Sequence, residues 1–277
     1  THKLPRFYMG RWDWEFEYRP DDHDDGQKIF LGQTGNFNGE EIIDIILAQP
    51  ATATFIARHL FSFFVEDEPQ VPAWSVTPPN NPDAVNAIAK VLFESDYHIG
   101  TTLRFILNSD FFKDSLFAKV KNPTEVVIGT LRLVGNTERP SPETMDWAID
   151  ITNMGQDLLN PPSVEGWHTG IEWINSGTLM KRTNFTAELM GDLTRPGVKN
   201  IMDRVKSVEA SADELVSACL DLMGPLDVDD DIRQELIEHA ESFGPFDWDQ
   251  DSEDENAAAV ASEIIQLIVS LREYQFA

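Results

Sequence analysis

Asn122-Pro123-Thr124-Glu125-Val126-Val127-Ile128-Gly129-Thr130-Leu131-Arg132-Leu133-Val134 sets the fold class. Asn122 can accept from the unpaired amides of a helix start, and Pro123 suits a first turn that needs no N–H. Glu125, three residues past the cap, can return a bond to the cap amide. Val127, Leu131 and Val134 then recur at helical spacing and make one buried stripe. The same grammar runs outward in both directions. Upstream, Asn38 with Glu41 precedes Ile42, Ile43, Ile45, Ile46 and Leu47. Pro50 starts a helix whose apolar face reads as Phe55, Ile56, Leu60, Phe63 and Phe64. After a polar, Pro-rich loop over 66–80, Asn81-Pro82 opens a helix with Val85, Ile88, Ala89, Leu92 and Phe93 inward. Another carries Leu103, Phe105, Ile106 and Leu107 and ends near Phe111-Phe112.

Downstream, Ser141-Pro142 opens a helix to about Met154, and a further helix is expected around Leu179–Leu189. Ser211-x-x-Glu214 and Ser252-x-x-Glu255 are capping boxes for helices of the tail. Residues 229–241 read as helix, and Ala257, Val260, Ala261, Ile264, Ile268 and Leu271 form the stripe of the last one. The acidic stretch Phe243–Glu255 is expected as an exposed loop. Near the start, Trp12, Trp14, Phe16 and Tyr18 alternate as in a strand, and Lys28-Ile29-Phe30-Leu31-Gly32 offers a return strand. The expected fold is mainly α, a multi-helix bundle-like domain with a short aromatic β-hairpin near the N-terminus. A long Trp/Pro/Gly loop over 155–178 completes it.

The chain of 277 residues is 42% apolar, with 17 Phe and 7 Trp, enough for a sizeable core. Its formal charge is −27, which repels phosphate backbones and disfavours nucleic acid. Solubility or salt tolerance accounts for such a surface, as does attraction of cations. From Glu209 to Glu255 there are 17 acidic residues against one basic residue, Arg233. Cys219 is the only cysteine, which excludes an intrachain disulfide and a thiolate cluster; its setting among Leu215, Val216 and Leu220 reads as core. No run approaches the ~18 apolar residues of a membrane span. Thr1 neither initiates a chain nor opens an apolar leader, so the start reads as set by processing or truncation.

Several blocks, in order, resemble one family. They are His23-Asp24-x-Gly26-x-Lys28 with Leu31-Gly32, Pro50-Ala51-Thr52-Ala53 with Phe55-Ile56-Ala57, and Lys121-x-Pro123-x-Glu125 with Leu131-Arg132. Met154-Gly155-Gln156, Pro161-Pro162-Ser163-Val164-Glu165-Gly166-Trp167, Trp173-Ile174-Asn175-Ser176 and Arg182-x-Asn184-Phe185 follow. Together they resemble the DUF1800 family of bacterial proteins, which has no established function. The resemblance covers roughly residues 10–190 well and the tail more loosely. Members are typically longer upstream, so residues 1–190 are expected to be the C-terminal part of a DUF1800-like helical domain. Residues 191–277 are expected as an acidic helical tail packing on it. The resemblance also implies an extracytoplasmic setting, periplasmic or secreted, and a DUF1501-like partner. It supplies no catalytic residues and establishes no cofactor.

Candidate sites come from the residues themselves. In Asp21-Asp22-His23-Asp24-Asp25-Gly26, His23 and Asp24 offer a nitrogen and hard oxygens to a divalent cation. His23 can equally serve as a base oriented by a carboxylate, or the segment can be a turn whose Asp side chains bond the local backbone. Asp227-x-Asp229-x-Asp231 with Glu238 copies EF-hand spacing, but Ile232 stands where the loop needs Gly, and Asp247-x-Asp249-x-Asp251 fails likewise. Arg182 and Lys28 can bind an anionic group, or Arg182 can form a structural ion pair with Glu125 or Glu165. Gln156, Trp167, Trp173 and Asn184 can form a sugar platform, whereas the tryptophans can equally plug the core. His168 lies beside Trp167 in the same loop. Two functions remain. One is a non-catalytic exported binding or assembly protein supporting a partner enzyme; the other is a metal-assisted hydrolase or related enzyme acting on an anionic polymer or glycan. Convergence of His23, Lys28, Gln156, Trp167 and Arg182 in one polar cleft would favour an enzyme or ligand-binding site, and separate packed plugs a scaffold.

Overall fold

The computed structural model describes residues 16–135, 143–206, 211–224, 226, 228–243 and 255–276. It comprises two units, Thr1–Phe55 and Ile56–Ala277. In the first, a 3-10 turn at Pro20–Asp22 precedes β1 (Lys28–Phe30) and β2 (Gln33–Gly35). These strands pair antiparallel with Lys28 opposite Gly35 and Phe30 opposite Gln33. Leu31 and Gly32 join them with φ of 47° and 81°, the two left-handed residues that a tight, right-twisting hairpin turn requires. A hairpin near the N-terminus is therefore present, but Lys28–Phe30 is its first strand rather than its return strand. Trp12 and Trp14 lie outside the described residues, and Phe16 and Tyr18 are not in a strand. In α1 (Gly39–Leu47) the anticipated capping box forms: Glu40 and Glu41 amides donate to Asn38 Oδ1 at 3.0 and 3.4 Å, and the Asn38 amide donates to Glu41 Oε2 at 2.9 Å.

Helix α2 (Pro50–Phe64) begins in the first unit and continues into the second. Its buried face is Ala53, Ala57, Arg58 and Phe61, continued by Val65 just past its end, while Phe55 and Phe63 are exposed. The buried face is thus turned from the expected Phe55/Phe63 stripe to one that pairs two alanines with Phe61. Helices α3 (Pro82–Glu94), α4 (Ile99–Asn108) and α5 (Asp110–Lys113) follow, with Val85, Ile88, Leu92 and Ile106 fully buried. Phe93, expected inside, is exposed and meets Tyr97 edge-on at 6.4 Å.

The remainder is α6 (Pro123–Val134), α7 (Glu143–Asn153), α8 (Ser176–Gly191), α9 (Pro196–Lys206), α10 (Ala212–Met223), α11 (Asp230–Glu241) and α12 (Glu255–Ser270). A 3-10 turn at Glu273–Gln275 ends it. Helix α8 packs on both α6 and α12. The main core gathers Met190, Val198, Val205, Leu215, Cys219, Leu236, Ile264 and Ile268 from α8 to α12. Each such fully buried side chain contributes about 1.5–3 kcal/mol over its exposed state. Burial pushes the Cys219 thiol up to about 12, as suits a core residue. A smaller cluster joins Val127 and Leu131 of α6 to Ile151 and Met154. Helix α9 was not anticipated. Its Gly197 meets the end of α6 so closely that a Cβ would fall 1.9 Å from Leu133 O.

The Ser141-Pro142 start, the Ser252 cap, the Asp247–Asp251 run and most of Phe243–Glu255 lie outside the described residues. Asp230, Asp231, Ile232 and Glu238 sit on helix α11 and so cannot wrap an ion as a loop. Among the described residues, no helix is long and apolar enough to cross a membrane.

Candidate functional site

Within the second unit, the loop after α7 closes over α2 and the segment 118–125 to leave a cleft of about 470 Å³. His59, Ser62 and Phe63 of α2 form one wall, Asp67, Lys119 and Glu125 another, and Gln156, Trp167, His168, Thr169 and Trp173 the loop side. Buried polar chemistry fixes these walls. Arg58 donates through Nε and Nη2 to Glu68 Oε2 at 2.8 and 2.6 Å, and to the Thr77 and Pro78 carbonyls at 2.9 and 3.0 Å. Its guanidinium lies 4.5 Å from the centre of the Trp74 ring, which in turn stands 4.6 Å from His59. Glu68 also accepts the Asn80 amide at 2.8 Å, so residues 66–80 are held as a structured loop. Partial burial lowers the His59 pKa.

Asp67 is the hinge of the cleft floor. Its carboxylate accepts Lys119 Nζ at 3.2 Å and the Val120 amide at 2.7 Å, and Lys119 also donates to Ser62 O at 2.6 Å. Gly170, at φ +60°, brings the tryptophan loop against Asp67; a Cβ there would lie 3.1 Å from the carboxylate carbon. Gln70 spans the same gap, donating to Thr169 Oγ1 at 2.9 Å.

The anticipated residues separate into three groups. Gln156, Trp167 and Trp173 converge on this cleft. Gln156 turns its carbonyl oxygen to the start of α6, accepting the Thr124 amide at 2.9 Å and hydroxyl at 2.7 Å. Trp167 is half-buried and donates its indole N–H to Asp157 O at 3.1 Å. Trp173 is 5% exposed and packs as a plug. His168 Nδ1 lies 2.6 Å from Glu172 Oε2, and its ring meets Trp173 edge-on.

Arg182 lies beneath rather than in the cleft. Fully buried at 0% exposure, it donates from Nη1 to Lys121 O at 2.7 Å; Nε and Nη2 have no partner among the described residues. Desolvation lowers its pKa to about 10, opposed by the Glu125 charge. No carboxylate of Glu125 or Glu165 forms an ion pair with it among the described residues. Lys121 likewise donates to a carbonyl, Tyr274 O at 2.7 Å, and sits 4.2 Å from the Tyr274 ring centre. Burial lowers its pKa to about 8, again against Glu125. Asn184 is exposed on α8 and does not line the cleft.

His23, Asp24 and Lys28 belong to the first unit and build a local turn. His23 Nδ1 pairs with Asp25 Oδ1 at 2.9 Å, and Asp24 Oδ1 accepts the Gly26 amide at 2.8 Å. Lys28 Nζ donates to the Asp24 and Gly26 carbonyls and to Asn36 Oδ1. Among the described residues, no group of three or more His, Cys, Asp or Glu is placed to hold a metal ion. Sequence reasoning missed Asp67, Lys119, His59 and Phe63. His59 and Phe63 lie on α2, Asp67 just beyond it and Lys119 more than fifty residues on, and the bonds of Lys119 and Val120 to Asp67 and Ser62 bring these segments together.

Residues 9–276 match the model of a family described as "Protein of unknown function (DUF1800)". No curated protein and no solved structure matches the chain.

Proposed function

This chain belongs to the DUF1800 family, and from that premise we propose a non-catalytic binding role in support of a partner protein, centred on the cleft of the second unit. One observation carries the reading: Asp67, Lys119 and Glu125, the cleft's carboxylates and ammonium, bond to its walls. Asp67 is bonded to Lys119 and the Val120 amide, Lys119 to Ser62 O, and Glu125 Oε2 to the Asn122 amide. Such groups shape a surface and are poorly placed to shuttle protons. The hydrolase alternative relied on Lys28 and Arg182 to hold an anion and on His23 and Asp24 to hold a metal. Lys28 donates to three oxygens of its own turn region, and Arg182 is sealed from solvent.

An extracytoplasmic setting and a DUF1501-like partner belong to this proposal, supported by the sequence resemblance. Gel filtration of the protein mixed with the DUF1501-like protein of its own source tests it. Co-elution that Phe63→Glu abolishes is the expected result. Independent elution at micromolar concentrations would remove the partner role. A second reading rests on His168, whose Nδ1 faces Glu172 as in a carboxylate-oriented base. Reducing ends released from an oligosaccharide, and lost in His168→Gln, would replace binding by catalysis.

A further inference from the structure

We propose that the cleft takes a short neutral oligosaccharide, an inference that rests on reading the cleft as a binding site. Its volume of about 470 Å³ lies within the roughly 300–1,000 Å³ of small-ligand sites. Two aromatic surfaces line it. The Trp167 ring is fixed by its bond to Asp157 O, and Phe63 stands 72% exposed on the facing helix. Flat apolar rings of that kind suit the C–H faces of pyranoses.

The polar groups around them match hydroxyls, which both donate and accept. Gln156 lines the cleft with its carbonyl oxygen engaged by Thr124, which leaves the amide group as the donor end of that side chain. Asn122, Ser62, Thr169 and His168 add short side chains of mixed donor and acceptor character.

Charge selects neutral over ionic ligands. Lys119 is the one lysine or arginine among the lining residues, and its ammonium is already held by Ser62 O and Asp67. Lys121 and Arg182, the nearby cations, point at the Tyr274 and Lys121 carbonyls. A carboxylate or sulfate entering the cleft would meet the carboxylates of Asp67 and Glu125, with Lys119, already paired to Asp67, as the one lysine or arginine of the described lining to offset them. Toward a cationic ligand the carboxylates are already partly occupied, since each Asp67 oxygen accepts a protein donor and Glu125 Oε2 accepts the Asn122 amide.

The test titrates the full chain with cellohexaose, xylohexaose, mannohexaose and chitohexaose, and with a galacturonate hexamer and a heparin hexasaccharide as anionic probes. Tryptophan fluorescence and calorimetry supply the readout. At least one neutral probe should bind with Kd of about 1 mM or tighter, and the anionic probes should not. Trp167→Ala and Phe63→Ser should each weaken binding by about three- to tenfold. Phe63→Ser alters an exposed side chain, so it keeps the test decisive should Trp167→Ala fold poorly. Absence of binding by all four neutral probes, preference for an anionic probe, or unchanged affinity in both variants would overturn the proposal. If neutral probes fail while the Phe63-dependent partner complex forms, the saccharide assignment alone falls. If both fail, the binding role falls with it.

Discussion

Removing the Glu68 carboxylate should be among the most damaging single changes in the second unit. The side chains of Arg58 and Glu68 are 5% and 0% exposed, and their shortest contact is 2.6 Å. Glu68→Ala leaves a buried guanidinium with the Thr77 and Pro78 carbonyls and the Trp74 ring but no counter-charge among the described residues, and strips the Asn80 amide of its acceptor. Breaking a buried pair from one side costs about 3–5 kcal/mol. At roughly 2–4 °C per kcal/mol for a domain of this size, the melting temperature should fall by about 10 °C. Arg58→Met combined with Glu68→Ala removes the stranded charge and should recover part of that loss. Denaturant titrations of wild type, both single variants and the double variant close the cycle, with a coupling of about 2–3 kcal/mol expected. Because Asp67 and Gln70 ride on the same loop, saccharide binding should weaken in Glu68→Ala more than in the double variant. Additive single effects, or a Glu68→Ala cost under about 1 kcal/mol, would refute the reasoning.

Trp173→Ala should cost about 3–5 kcal/mol because the ring is a plug, whereas half-buried Trp167→Ala should cost about 1–2; thermal melts of the two variants distinguish them. Arg182→Met should be neutral or stabilising by about 1–2 kcal/mol, since among the described residues the buried guanidinium makes one hydrogen bond and leaves Nε and Nη2 without a partner. A large loss of melting temperature would show that those donors are satisfied. Lys121 titrates at about 8 when folded against 10.5 otherwise, so the unfolded chain binds more protons within that window. Its contribution to stability is complete above 10.5 and lost as pH falls toward 8. Cys219 works the other way: its stabilisation is present below pH 9 and lost as pH rises toward about 12. Stability should therefore rise less steeply from pH 8 to 9 in Lys121→Met than in wild type, as denaturant midpoints at each pH would report.

Much of the helical framework was legible because its signals are local. Asn38–Glu41, Asn122–Glu125 and Ser211–Glu214 each act within one turn, and each forms. Which face goes inward was less legible, because it depends on the neighbour. In α2 the Ala53/Ala57 side is buried and Phe55 and Phe63 remain exposed. Helix α9 went unread because Pro196-Gly197 resembles a breaker in isolation, although the contact with Leu133 O leaves room only for glycine. In the candidate site, the tryptophan loop announced itself by composition. Its facing wall did not: Asp67 and Lys119 look like ordinary surface charges until tertiary contact pairs them. Arg182 shows the converse, since its charge suggests an anion-binding group while its burial removes it from any surface.

Residues 119–121 have no helix of their own, yet they tie three parts of the second unit together. Lys119 and Val120 bind Asp67 and the end of α2, the Lys121 amide and ammonium bind the Gln275 and Tyr274 carbonyls, and the Lys121 carbonyl receives Arg182 of α8. A short irregular segment with that many obligations cannot open alone. Its amides at Val120 and Lys121 should exchange with solvent as slowly as those of the packed helices, because exposing them requires the cleft floor, the C-terminal turn and α8 to separate as one cooperative unit. The region most open to ligand would then also be a seam along which the fold comes apart.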